Sequence, residues 1–108
     1  MKKYRVRITY PAEHDILDIF DYIARKDTIS NAEYVLHEIE TLILSLNTNP
    51  ERGHYPEELL DHGIKTFREV LFKPYRIIYE VIDKEVVIHL CIDGRRDMQS
   101  LLTRRLLR

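Results

Sequence analysis

Four arginines carry the chemistry this chain can offer. Arg68, Arg76, Arg95 and Arg96 fall within residues 64–97, IKTFREVLFKPYRIIYEVIDKEVVIHLCIDGRRD. A guanidinium presents a planar fork of donors that grips a phosphate or carboxylate through two parallel hydrogen bonds. Several together can stabilise the charge that develops on a phosphodiester during cleavage. Cleavage of RNA by its own 2′-OH also needs groups that move protons. Lys65, Lys73, Tyr75, Tyr79, Glu69 and His89 are the titratable residues nearby, and no clear acid–base pair stands out among them. Side-chain alternation places Tyr75 and Tyr79 opposite Arg76, as core aromatics. The same arginines have an internal use as well, in salt bridges with Glu69, Glu80 and Asp97.

Other chemistries find little support. His89 and Cys91 stand two apart on one strand and so share a face, but no second pair stands at a ligand spacing. His14, His37, His54 and His62 show no such spacing either, so neither a metal nor a cofactor is expected. There is no phosphate-binding glycine loop, no dinucleotide fingerprint and no nucleophile elbow. Cys91 reads as a small buried hydrophobe.

The elements that position the arginines follow from periodicity. Tyr75, Ile77, Tyr79 and Val81 alternate with Arg76, Ile78, Glu80 and Ile82. Val86, Ile88, Leu90 and Ile92 alternate with Val87, His89, Cys91 and Asp93. Asp83-Lys84-Glu85 is a break short enough for a hairpin. With the run before Lys73, this predicts an antiparallel meander of three strands. One face lies against the rest of the chain, and the other, less apolar, carries Arg76 with the Gly94-Arg95-Arg96-Asp97 turn at its rim. A curved sheet of this kind would gather the arginines on one face.

Upstream, Tyr4 to Tyr10 alternates as a strand. A helix is predicted from Pro11 to about Arg25, with Ala12, Ile16, Ile19, Phe20, Ile23 and Ala24 as its apolar stripe. Asp15, Asp18 and Asp21 read as its solvated outer face. After Asp27-Thr28-Ile29, Ser30 and Glu33 match a capping box, opening a second helix to about Leu46. So short a break implies an antiparallel helical hairpin. Residues 48–63 form the main loop, with one helical turn at Glu57-Glu58-Leu59-Leu60. A short C-terminal helix runs from Met98 to Leu107, capped by Asp97, with Met98, Leu101, Leu102 and Leu106 inward. Arg104 and Arg105 add charge elsewhere on its surface. The expected fold is α+β: an N-terminal strand, a helical hairpin packed on a curved, mostly antiparallel sheet of about four strands, and a short C-terminal helix, all in one domain over residues 1–108.

Composition agrees with a single globular domain. The chain has 108 residues, 44% hydrophobic and 32% charged, with one cysteine and a net charge of −1. One cysteine cannot form an internal disulfide, and no run approaches the roughly 20 apolar residues of a membrane span, so a cytoplasmic protein with no membrane partner is expected. Charge is divided unevenly: residues 1–63 carry −5 and residues 64–108 carry +4. A basic patch of this kind meets phosphates or an acidic protein.

The segments FREVLFKPYRIIYEV and DGRRD resemble the sheet of the RelE/ParE toxin superfamily. The stretch AEHDILDIFDYIARKDTISNAEYVLHEIETLILSLNTNPERG resembles its helical hairpin, through Ala12, Asp15, Ile19, Tyr22, Ile23, Ala32, Leu46, Pro50 and Gly53. The resemblance implies the toxin of a bacterial type II toxin–antitoxin pair, with a cognate antitoxin that wraps it using a helix and an extended segment. RelE-like members cut mRNA on the ribosome. For that activity the resemblance matches Arg76 and Arg96 (or Arg95), and the residues nearby add Arg68, with Lys73 or His89 moving the proton. The chain departs from that branch: Val70-Leu71-Phe72 stand where a lysine pair is expected, and Leu101 and Leu102 where a tyrosine is expected. It is more similar to the ParE branch, whose members inhibit DNA gyrase and perform no chemistry. On that reading Arg76, Arg95, Arg96, Arg104 and Arg105 contact the target. A third possibility is a non-toxic interaction module of the same fold. An exposed meander edge also offers pairing with another chain, as a homo-oligomer or with antitoxin.

Overall fold

The computed structural model describes residues 3–107. Strand β1 is Arg5–Ile8 and helix α1 is Tyr10–Lys26. Helix α2 is Ile29–Leu44, prolonged by a 3₁₀ turn over Ser45–Asn47. Helix α3 is the single turn Glu57–Leu60. Strands β2 (Phe67–Phe72), β3 (Tyr75–Ile82) and β4 (Glu85–Asp93) make the meander, and α4 is Met98–Leu106. The sheet order is β1-β4-β3-β2, with β1 parallel to β4 and the other pairs antiparallel. The expected α+β architecture is present, and the sheet is mixed.

Local chemistry sets the helix starts. The Thr9 side chain accepts from Ala12 N at 3.3 Å, and its hydroxyl donates to Ile88 O at 3.1 Å, so one residue starts α1 and ties it to β4. Pro11 sits in the first turn, where a missing N–H costs nothing. The capping box expected at Ser30 and Glu33 does not form. Thr28 caps α2 instead, accepting from Asn31 N at 3.0 Å, and Asn31 Nδ2 donates to Asp27 at 2.6 Å. With Thr28 extended and already satisfying the first turn, Ser30 falls inside the helix.

The strands hold the main correction. Ile78 pairs with Leu90, but Tyr79 pairs with Ile88, so His89 is an extra residue in β4. Such a bulge reverses the side-chain alternation beyond it. Val86 and Ile88 face the helical hairpin as expected, but beyond the bulge it is Cys91, not Leu90 and Ile92, that joins them. His89 and Cys91 therefore do not share a face. His89 lies against the Phe67 ring on the far side, while Cys91 is fully buried on the hairpin side.

Leu90 and Ile92 build a second core on that far face, with Leu59, Phe67, Ile78 and the α4 residues Met98, Leu101 and Leu102. The face expected to be less apolar is thus a packed layer under α4. A nine-residue helix is too short to hold itself together in water. Burial of its three apolar side chains, worth roughly 1.5–3 kcal/mol each, is what keeps it in place. Among the described residues no helix is long and apolar enough to cross a membrane.

Candidate functional site

A cleft of about 470 Å³ opens on the α4 side of the sheet, lined among others by His54, Glu58, Glu69, Lys73, Arg76 and Arg95. Strand β3 delivers Arg76 to it, since Ile77 on one side of Arg76 turns toward the hairpin core. Gly94 permits the close approach: a Cβ there would lie 2.7 Å from Arg76 Cδ. Each of the three guanidinium nitrogens donates within the chain. Its Nε donates to Glu69 at 2.7 Å, and its Nη1 and Nη2 donate to the two oxygens of Glu58 at 2.7 Å each. Glu69 is 4% exposed, and its second oxygen lies 2.9 Å from His54 Nε2. The hydrogen bonds from Arg76 hold the Glu58 carboxyl below its ordinary range and push the guanidinium pKa up. Two carboxylates around one cation leave the base of this cleft no surplus of positive charge for a phosphate.

Of the other predicted site residues, Lys73 and Arg95 line the same cleft, and the rest lie apart. Arg68, two before the hairpin-facing Val70, points to the hairpin side of β2, opposite Arg76. It donates to Gly53 O at 2.8 Å and to Tyr55 Oη at 3.2 Å, and its guanidinium stacks 4.6 Å above the Tyr55 ring. The gathering of Arg68 and Arg76 on one sheet face is therefore not observed. Lys73 is exposed in the β2–β3 turn. His89 Nε2 sits 2.9 Å from Glu80 Oε1. Of the expected internal bridges, Arg76 to Glu69 forms, while Glu80 takes His89 and Asp97 caps α4 by accepting from Ser100 N.

Two of the predicted arginines reach solvent in the turn after β4. Arg95 is 77% exposed in its side chain and grips Asp93 through Nε at 3.0 Å and Nη2 at 2.6 Å. Asp93 is held below the usual carboxylate range by that contact. Arg96 is exposed, and among the described residues its guanidinium makes no hydrogen bond or ion pair. Arg104 is exposed on α4. Arg105 is not a surface charge: it reaches Asp15 at 2.9 Å with its side chain 22% exposed. Asp15, expected on a solvated face, is 10% exposed in its side chain and also accepts from Cys91 N at 3.1 Å. Glu58 and Asp15 were not legible as partners. The first lies 18 residues from its arginine and the second 90 residues from its own, and no sequence spacing encodes either pair.

Comparison with known proteins gives this arrangement its context. Residues 6–98 match the model of the ParE toxin of type II toxin–antitoxin system, parDE. The curated protein Toxin ParE3 of Caulobacter vibrioides is 28% identical over 98 residues, covering 91% of this chain and 94% of that protein. Among solved structures, the chromosomal ParDE system of P. aeruginosa superposes with a TM-score of 0.71 at 17% identity, over 84% of this chain and 96% of that one. A chain of the RelBE2 toxin–antitoxin complex of Mycobacterium tuberculosis gives 0.62 at 19% identity, over 86% and 93%. A free-state mutant of the E. coli toxin RelE gives 0.64 at 15% identity, over 97% and 99%. These likenesses carry the same hairpin-on-sheet fold, and with a family match across residues 6–98 the chain belongs to the ParE toxin family of type II toxin–antitoxin systems.

Proposed function

We propose that this toxin inhibits DNA gyrase by contact, without chemistry of its own, and is neutralised by a cognate antitoxin. The state of Arg76 carries the reading. A ribonuclease would need the sheet arginine to meet the scissile phosphate, and here that fork is closed on Glu58 and Glu69. Of the remaining residues of a ribonucleolytic set, Lys73 shares the cleft, while Arg68 lies on the opposite face, His89 against Glu80 and Arg96 on the turn. The exposed arginines, Arg95 and Arg96 with Arg104 beyond them, form a basic rim suited to an acidic protein surface. Arg76 and Arg105 serve that rim indirectly, through the internal pairs that hold the cleft and α4.

The experiment uses purified, antitoxin-free protein with gyrase, ATP and supercoiled plasmid. Linear DNA should accumulate after the gyrase is denatured. Folded, growth-arresting protein that yields no linear DNA, but leaves cut mRNA on ribosomes, would replace this reading with the ribonuclease.

A further inference from the structure

Strand β1 covers only the first part of β4: the ladder runs from Arg5 opposite Glu85 to Ile8 opposite Ile88, and there the chain turns into α1. The rest of β4 has a bare edge on that side. Gly94 N donates to Pro74 O at 2.8 Å, which makes Tyr75 and Asp93 a pair whose own amides point away from each other. By the same alternation the amide of Cys91 points outward, to the bare edge. The bulge at His89 leaves a carbonyl there too. Two side chains from opposite layers of the fold meet these groups. Asp15 of α1, on the hairpin side, accepts from Cys91 N at 3.1 Å. Arg105 of α4, on the far side, donates to His89 O at 3.2 Å. The two then close on each other through a two-point ion pair, at 3.2 and 2.9 Å, with both side chains largely withdrawn from solvent.

We infer that Asp15 is a positioning residue for toxicity: through Arg105 it latches the C-terminal helix, and with it the arginine turn, around the open edge of β4. Gly94 N ties the start of the turn to Pro74 O. Arg95 and Arg96 lead through Asp97 directly into α4, so the helix that Arg105 anchors is the element that aims them. No strand can do this work, because β1 stops at Ile8. No backbone group of α4 can do it either, because the helix lies on the other face of the sheet. Burial of Met98, Leu101 and Leu102 holds α4 on the sheet, and the charged pair reaching around the edge adds the polar contact that fixes α4 against α1 as well. The inference rests on the reading that the turn and α4 meet the target. It does not depend on whether that target is gyrase.

The test compares Asp15→Asn with Ile43→Val, a control destabilised through the hairpin-side core and remote from α4. Asparagine can still accept from Cys91 N but loses the charge that Arg105 grips. Amide exchange of α4 residues in purified Asp15→Asn should quicken by about tenfold or more, with helices α1 and α2 unchanged, whereas Ile43→Val leaves α4 as in the parent chain. Growth arrest on expression without antitoxin should fall at least about tenfold in Asp15→Asn and persist in Ile43→Val at equal cellular abundance. Asp15→Glu, which keeps the charge, should restore part of the arrest. Unchanged exchange in α4 would overturn the latch. A loosened α4 with full toxicity, a parent chain that does not arrest growth, or equal loss in the control would overturn the positioning role. Absence of gyrase-linked DNA breaks alongside these growth effects would remove only the gyrase reading.

Discussion

The guanidinium of Arg76 and the carboxylate of Glu58 form a two-point pair at 2.7 Å and 2.7 Å, joining the middle of the sheet to the one-turn helix α3. Side chains on the two sides are 15% and 23% exposed, so solvent screens this pair weakly. Removing one partner strands charge in a poorly hydrated place. Arg76→Met leaves Glu58 and Glu69 facing each other and should cost about 3 kcal/mol in chemical denaturation. Arg76→Met combined with Glu58→Gln and Glu69→Gln should recover most of that loss. A single Arg76→Met change without effect on the denaturation midpoint would show that the pair is not formed in solution.

The same pair sets an acid limit. Glu58 has its pKa lowered from the ordinary 4.5 by the hydrogen bonds from Arg76. A carboxylate depressed in the folded state binds protons more readily once unfolded. Its contribution is complete above 4.5 and disappears as pH falls through the lower folded value. Asp93, lowered from 3.8 by Arg95, and Asp97, lowered from 3.8 by its bond from Ser100, act in the same direction. Calorimetric midpoints should therefore fall as pH drops below 4.5, and Glu58→Gln should make that fall shallower.

Tyr79 closes the main loop onto the sheet. Its hydroxyl donates to Pro50 O at 2.7 Å and accepts from Gly53 N at 3.0 Å, and the residue is 0% exposed. Tyr79→Phe leaves a buried carbonyl and a buried amide without partners, at a cost of roughly 1–3 kcal/mol. Gly53→Ala should be worse than an exposed glycine change, because the new Cβ would lie 2.5 Å from the Tyr79 hydroxyl and 2.6 Å from Glu69 O. Denaturation of the two variants, with Gly63→Ala as a comparison in open space, would measure the difference. Gly63 carries a φ of +73°, so that comparison retains a backbone strain of its own.

Cys91 should be chemically silent. Burial pushes its thiol up to about 12, with the Asp15 charge adding to the effect, and the residue is 0% exposed. The thiolate is the reactive form. Alkylation of the native protein at pH 8 should run at least about a hundredfold more slowly than in denaturant. Rapid native labelling would mean that β4 opens at the bulge.

The arginine turn separates fold from function. Arg95→Ala with Arg96→Ala removes two exposed guanidiniums, one of which makes only the local contact with Asp93. The double variant should keep the circular dichroism and midpoint of the parent chain and lose growth arrest. Persistent toxicity in the folded variant would assign target contact elsewhere.

Much of this molecule was already written in short-range pattern. The period of two in YRIIYEVI and EVVIHLCID, the helical stripe from Ala12 to Ala24 and the break at Asp27 and Thr28 determined strands, hairpin and layer order, because backbone geometry alone turns those spacings into faces. The residues shared with the toxin superfamily determined the family. Tertiary structure alone decided the rest. One inserted residue at His89 moved Cys91 to the opposite core, an event no alternation count detects. Thr28 took the cap that Ser30 and Glu33 matched equally well in sequence. Asp15 looked like one of three solvated carboxylates and is paired with Arg105 of α4, while Arg76 looked available and was closed by Glu58. The reason is the range of the interactions. Hydrogen-bonding ladders and apolar stripes are local and leave a periodic trace, whereas the partner of a charged side chain is whichever opposite charge the finished fold brings within about 3 Å.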